Sequence, residues 1–428
     1  MSLATATTTC QSTPPATSVC VAYLVSRFPK LTETFVLYEV LGMKDLGVDI
    51  ELFPLRRERT NVMHAEAAAV VRAAHFTPLL LSWRIVWAHL FFLLTQPRNY
   101  LSTLATLLHA NLGSRRYLFG ALAYFPKSAL LARAMQRRGV EHVHAHFASH
   151  PAAIAYIIHR LTGIPFSFTA HGSDLHRDRH MLREKVAAAK YVVTISQYNR
   201  EVIRQHCGDD CLGKIRVIHC GVDIEKFQPT GCETEFDRGT GPFKVVCTGT
   251  LHEVKGQRYL LDAVCILREQ YVKIECHLIG DGQDRQALRK QACELGVADQ
   301  VIFHGRLPQH EVVEHLRAAD VIAAPSVPTA CGRREGIPVA LMEAMSCGLP
   351  AGASDLSGIP ELVEDDTTGL LTAPRDAGSI AGALARLYHD RELRRRLGMQ
   401  ARRKVEDEFN LAVNTRELAQ CFQSGGEL

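Results

Sequence analysis

The sequence predicts an α/β protein made of two doubly wound parallel-sheet domains that face each other across a cleft. Three observations carry that expectation. Short runs rich in β-branched and aromatic residues alternate with longer segments of helical periodicity, the pattern of parallel strands joined by crossover helices. The alternation is interrupted over residues 221–242 (GVDIEKFQPTGCETEFDRGTGP), where glycine, proline and charge replace periodicity. A length of 428 residues, with 47% hydrophobic and 22% charged content, suffices for two full cores.

Residues 1–18 (MSLATATTTCQSTPPATS) lack the apolar run of a signal peptide and the arginines of a transit peptide, so a disordered tail is expected there. The front domain is read as 19–220, with strands at 19–25, 48–54, 142–147, 166–170, 191–195 and 215–218. The most apolar stretch, 79–94 (LLLSWRIVWAHLFFLL), is 16 residues long and carries Arg84 and His89. A spanning helix needs about 20 apolar residues. Packing inside the front domain is favoured over lying in a membrane interface with Trp83 and Trp87 as anchors. Residues 221–242 form the linker, and 243–404 the back domain. It opens on strand FKVVCTG, helix GQRYLLDAVCILREQ, strand KIECHLIG, helix DRQALRKQACELG and strand VIFHG. Sheets of this kind take ligands beyond the carboxyl ends of their strands, here in the gap between the domains.

Composition narrows the partners. Residues 1–240 carry 27 Lys and Arg against 19 Asp and Glu, and residues 241–428 carry 22 against 26, within a net charge of +4. Arg115, Arg116, Lys127, Arg133, Arg137 and Arg138 fall close together, which is consistent with peripheral contact with an anionic membrane; solvated helix faces are the plainer alternative. No nucleic-acid partner is expected. Thirteen cysteines without a C-x2-C pair read as reduced thiols of a cytoplasmic protein.

The most informative segment is GRREGIPVALMEAMSCGLP, residues 332–350, which sets Glu335 and Glu343 eight residues apart. Pro338 suits a first helical turn, and Val339, Leu341, Met342, Ala344 and Met345 have helical spacing. The free N–H groups from about Ile337 to Ala340 then offer a diphosphate the positive end of a helix dipole. Carboxylates beside that site suit sugar or ribose hydroxyls. Gly280 and Gly282 in HLIGDGQ end a strand and let a ligand approach the backbone, although Arg285 occupies the third position of G-x-G-x-x-G. His142, His144 and His146 alternate along one strand as an H-x-H metal site would, but without partners at ligand spacing, so no metal is expected.

EGIPVALMEAM with the following CGLPAGASDLSGIPELVEDDTTGLL resembles the donor-binding signature of family 4 of the retaining glycosyltransferases, the GT-B class with two Rossmann-like domains. The resemblance extends through HLIGDGQDRQALRKQACELGVADQVIFHGRL and covers essentially all of 243–404. It implies that Glu343 binds the nucleotide ribose and Glu335 faces the transferred sugar, with Gly336, Ile337, Pro338 and Val339 at the diphosphate. After VVCTG, relatives place Arg and Lys as G-R-L and K-G. Gly249, Lys255 and Gly256 match, but Thr250 stands where that arginine would clamp the diphosphate, putting the rate in doubt. In FTAHGSD the resemblance implies that His171 contacts the donor sugar, with Gly172 giving room and Asp174 held near the turn, both on the acceptor side. SRFPKLTETFV resembles the F-P-x-x-[ST]-E-T-F variant of exopolysaccharide transferases, with Glu33 and Thr34 on the acceptor side, or as the first turn of a helix capped by Thr32.

The implied catalytic residues are His171, Glu335 and Lys255, with Gly249, Thr250, Gly280 and Gly282 also on the donor side. A nucleotide-diphospho-sugar is expected as substrate and no cofactor, with a glycan or lipid-linked glycan as acceptor at the inner membrane face. Residues 405–428 are expected to cross back toward the front domain. A sugar-phosphate epimerase or phosphorylase of the same architecture, and a weak or inactive relative, stay open.

Overall fold

The structure, a computed structural model, describes residues 19–30, 34–58, 66–78, 82–176, 179–229 and 241–426. β1 (Cys20–Phe28), β2 (Asp49–Arg57), β3 (His142–His146), β4 (Phe166–Ala170), β5 (Tyr191–Thr194) and β6 (Ile215–Val217) form one sheet in the order β2-β1-β3-β4-β5-β6. β7 (Phe243–Thr248), β8 (Ile274–Ile279), β9 (Val301–Gly305), β10 (Val321–Ala324), β11 (Ala351–Ser354) and β12 (Gly369–Thr372) form the other, in the order β12-β11-β10-β7-β8-β9. Every pairing between these strands is parallel. Helices cover both faces, so the central strands β3 and β4 are buried at every residue.

β4 and β9 fall where the sequence places them. β1 and β2 run on to Phe28 and Arg57, because Arg27 pairs in register with Arg56 and Phe28 with Arg57 beyond the apolar alternation. The stretch 79–94 is corrected in part. Its described portion belongs to the helix Trp83–Thr95, which buries Ile85, Ala88 and Phe92 but leaves Trp83 68% and Leu94 78% exposed. Only one face packs. The basic cluster of the front half also divides. Lys127 is buried, its Nζ donating to the carbonyls of Leu55 (2.6 Å) and Thr77 (3.1 Å). Arg138 pairs with Glu51 at 2.9 Å, and the Arg133 guanidinium lies 3.7 Å from the centre of the Phe91 ring.

The final helix, Leu411–Ser424, completes the core of the front sheet rather than the back one. Leu418, Ala419, Cys421 and Phe422 join Val21, Tyr23, Val40 and Val193 in one buried cluster. Val222 donates to the Phe409 carbonyl (2.8 Å) and Leu411 donates back to Val222 (3.1 Å), so the two passages of the chain between sheets run side by side. A Cβ on Gly221 would come within 2.4 Å of Leu411 Cα, a contact only glycine permits.

Candidate active site

The carboxyl ends of β7 and β8 are shaped by close backbone approach. Gly249 has φ +141°, and a Cβ there would lie 3.1 Å from Lys255 Cε, so this glycine lets the lysine fold back over the strand end. A Cβ on Gly280 would be 1.9 Å from the Gly249 carbonyl, and one on Gly282 2.1 Å from that of Leu251. Both glycines therefore pack one strand-end loop on the other. Lys255 Nζ reaches Glu335 Oε1 at 2.8 Å, and Ser326 Oγ donates to Glu335 Oε2 at 3.3 Å. The pair retains about a fifth of its side-chain exposure, 19% for Lys255 and 17% for Glu335, and so remains reachable.

The helix after Glu335 runs Val339–Ser346. Pro338 is extended (φ −69°, ψ 124°) and precedes the helix instead of occupying its first turn. Its carbonyl accepts the first helical bond, from Leu341 N at 3.0 Å, so the N–H groups of Val339 and Ala340 lie ahead of the ladder. Glu343 sits one turn further in and is partly buried. Burial pushes its carboxyl up to about 7, with Lys226 and Lys255 pulling the other way. Thr250 is exposed, and its carbonyl accepts from Gln257 Nε2 at 3.2 Å.

Across the gap, β4 delivers His171 and Gly172. Gly172 has φ +113°, and a Cβ on it would stand 3.4 Å from Gly336 Cα; one on Gly336 would stand 2.8 Å from the His171 carbonyl. The front-domain turn and the Glu335–Gly336 segment thus touch backbone to backbone. The His171 ring itself points inward. Its Nε2 lies 3.2 Å from His146 Nδ1 and its Nδ1 3.9 Å from Cys220 Sγ, with Phe35 and Phe147 each 4.7 Å away. What this turn offers the cleft is main chain, while burial, then His146, hold the imidazole well below its ordinary value and keep it neutral. Asp174 is likewise a clamp inside the turn, accepting from the backbone of Gly172 (2.8 Å), His171 (3.1 Å) and Ala148 (2.5 Å).

Sequence reasoning missed what the helix Thr34–Asp45 brings. Glu33 lies outside the described residues, and Thr34 opens this helix. One turn on, Glu39 sits 3.2 Å from His146 Nε2 and accepts from the Tyr23 hydroxyl at 2.8 Å. Tyr38 donates to Gln309 of the back domain at 3.0 Å. Tyr23 lies only 16 residues from Glu39, but His146 and Gln309 are more than 100 residues from theirs, and no local pattern announces those pairings. Glu39, His144 and His146 bring ligand atoms within 4.8 Å of one another, yet both His144 nitrogens are already engaged by Ser167 (2.8 Å) and Thr169 (2.9 Å). Further contacts bind the two sides. Glu361 accepts from Gln197 N and Tyr198 N, both at 2.8 Å, capping the front-domain helix Gln197–Cys207, and Arg334 donates to the Tyr198 hydroxyl at 2.9 Å.

The description Glycosyl transferases group 1 matches residues 234–404, and Glycosyltransferase Family 4 matches residues 112–226. The chain is 30% identical over 440 residues to WcaL of Escherichia coli (strain K12), a protein assigned to colanic acid biosynthesis as a glycosyltransferase, spanning 94% of this chain and 99% of that one. The chain is a family 4 glycosyltransferase. The amylovoran biosynthesis glycosyltransferase AmsK of Erwinia amylovora is 34% identical over 59% of this chain and 62% of its own. Among solved structures, Anabaena Alr3699/HepE in complex with UDP aligns at a TM-score of 0.70 and 18% identity, over 95% of this chain and 100% of that one. The sucrose-phosphate synthase of Thermosynechococcus elongatus aligns at 0.69 and 18%, over 95% and 98%. The fold of this glycosyltransferase is GT-B.

Proposed function

We propose that this glycosyltransferase moves a sugar, with retention and without a metal ion, from a nucleotide-diphospho-sugar to a hydroxyl of a lipid-linked glycan during polysaccharide assembly. The observation that carries the reading is Lys255 paired with Glu335 beside the start of the helix Val339–Ser346, directly opposite the Gly172 turn. Lys255 and the N–H groups of Val339 and Ala340 supply the positive potential a departing diphosphate needs. Glu335, held by Lys255 and Ser326, accepts hydroxyls of the transferred sugar, and Glu343 accepts those of the ribose. The His171–Gly172 main chain closes the site from the front.

In this reading the acceptor hydroxyl attacks on the face the diphosphate leaves, and the departing phosphate oxygen takes its proton. Contact between the turns at Gly172 and Gly336 keeps water from the donor. The colanic acid and amylovoran relatives support a polysaccharide role, and UDP bound to a protein of like fold supports the donor class. No helix among the described residues is long and apolar enough to cross a membrane; in this reading the lipid acceptor is met by peripheral contact at the inner membrane face. A thermal-shift panel of UDP-, GDP- and ADP-sugars, followed by NMR of the product formed from the stabilising donor, tests the reading. An inverted anomeric configuration or an epimerised free sugar would refute it.

A further inference from the structure

Between Ala67 and Val140 the chain holds nine Lys and Arg and no Asp or Glu. The same span contains eleven of the sixteen large hydrophobic side chains exposed among the described residues. All but Leu112 fall on three helices packed on one another, Trp83–Thr95, Pro97–Asn111 and Arg115–Arg138. In the first helix, Trp83, Trp87, Leu90 and Leu94 follow i, i+4, i+7, i+11 along a single face, 40–78% exposed, opposite the buried Ile85, Ala88 and Phe92. Leu112 between the helices and Phe119 on the third are 67% and 68% exposed. Arg84, Arg98 and Arg115 are exposed on the same three helices, while Lys127 is buried, Arg133 lies over Phe91 and Arg138 pairs with Glu51. An apolar face with an interfacial tryptophan pair, exclusively cationic side chains and no acid matches one surface, that of an anionic lipid bilayer.

We infer that these three helices form the membrane-docking face of the enzyme, seated on anionic phospholipid. The inference rests on the acceptor reading above and gives it a place. Tyr117, at the start of the third helix, stacks on His150 (ring centres 5.4 Å apart, planes 5° apart) and lies 4.6 Å from the His180 ring. His150 follows β3 and His180 follows the His171–Gly172 turn. A bilayer under Leu112 and Phe119 therefore adjoins the front rim of the cleft, where a lipid-anchored glycan would enter.

The chain has two tryptophans, and both lie on this face. Intrinsic tryptophan emission consequently reports the face alone. The full chain is titrated with phosphatidylglycerol vesicles and, separately, phosphatidylcholine vesicles, with flotation in parallel. Emission is expected to move to shorter wavelength and saturate with phosphatidylglycerol, and the protein to float with those vesicles. Arg98→Glu weakens binding about fivefold or more. Leu94→Glu combined with Leu112→Glu abolishes it while unfolding temperature and turnover on a water-soluble glycan acceptor stay unchanged. Emission unmoved by phosphatidylglycerol at low salt overturns the inference, as does a lipid-free dimer whose tryptophans are already shielded, since a second copy then covers the face. Transfer to the soluble acceptor without vesicle binding sinks this inference and spares the transfer reading; vesicle binding without turnover of any nucleotide sugar does the reverse.

Discussion

Glu343 gives the most quantitative handle on the proposed donor site. Its carboxyl rises from an ordinary 4.5 to about 7, a difference of about 3 kcal/mol between charged and neutral forms, or about half that once solvent screening of a partly exposed group is allowed for. The direction fixes two signs. Folding penalises the charged form, so the penalty is present in full above the folded value of about 7 and vanishes as pH falls toward the ordinary 4.5. In the proposed site donor binding works the other way, because ribose hydroxyls donate readily to a carboxylate but poorly to a neutral acid. We expect kcat/KM for the donor to climb about tenfold per pH unit up to about pH 7 and then level off. His171 and His144 are pushed well below their ordinary value by burial and do not titrate in that window. Glu343→Gln should flatten the profile, lower the plateau by about tenfold through loss of a charge-assisted bond, and raise unfolding stability at about pH 8 by about 1.5 kcal/mol but not at about pH 4. Initial rates and urea unfolding across pH measure both. A wild-type profile flat from about pH 5.5 to 8, or an unchanged slope in the variant, would refute the placement of Glu343 at the donor.

Three further outcomes follow from the same geometry. Thr250 is exposed, so Thr250→Arg has room, and donor turnover should rise by up to on the order of 10²–10³ if a cation at the leaving group is what the chain lacks; no change in initial rate means that Lys255 and the helix start already suffice. Gly336→Ala puts a methyl 2.8 Å from the His171 carbonyl and 3.2 Å from Ile195 Cδ1, and steady-state kinetics should register a loss on the order of 10² in kcat/KM with an unchanged circular dichroism spectrum. Phe422→Ala opens a cavity beneath β1 and β3, and urea denaturation should record a loss of about 3–5 kcal/mol.

Much of the architecture was legible because a parallel sheet writes itself plainly: strands buried on both faces, such as VAYLV at 21–25, read as unbroken apolar runs. The grouping of Lys255 and Glu335 beside a helix start was legible too, since they lie in one short stretch or in a strand-end turn. What sequence could not resolve were contacts assembled across the fold. His171 was expected to present its ring to the sugar, but β3 and the helix Thr34–Asp45 supply His146, Phe147 and Phe35, which enclose it. Asp174 turned inward because three backbone N–H groups needed an acceptor. Hydropathy also could not tell the buried from the bare face of Trp83–Thr95, because both carry large apolar side chains, Ile85 and Phe92 on one and Trp83, Trp87 and Leu94 on the other.

The paired passages of chain at Gly221–Val222 and Phe409–Leu411 decide how this enzyme can breathe. They are the common axle of the two lobes, hydrogen-bonded to each other and leaving no space for a side chain at Gly221. Separation is least at that axle and grows toward the Gly172–Gly336 edge, so a modest swing there suffices to admit or release a nucleotide while the buried seam under Phe422 stays shut.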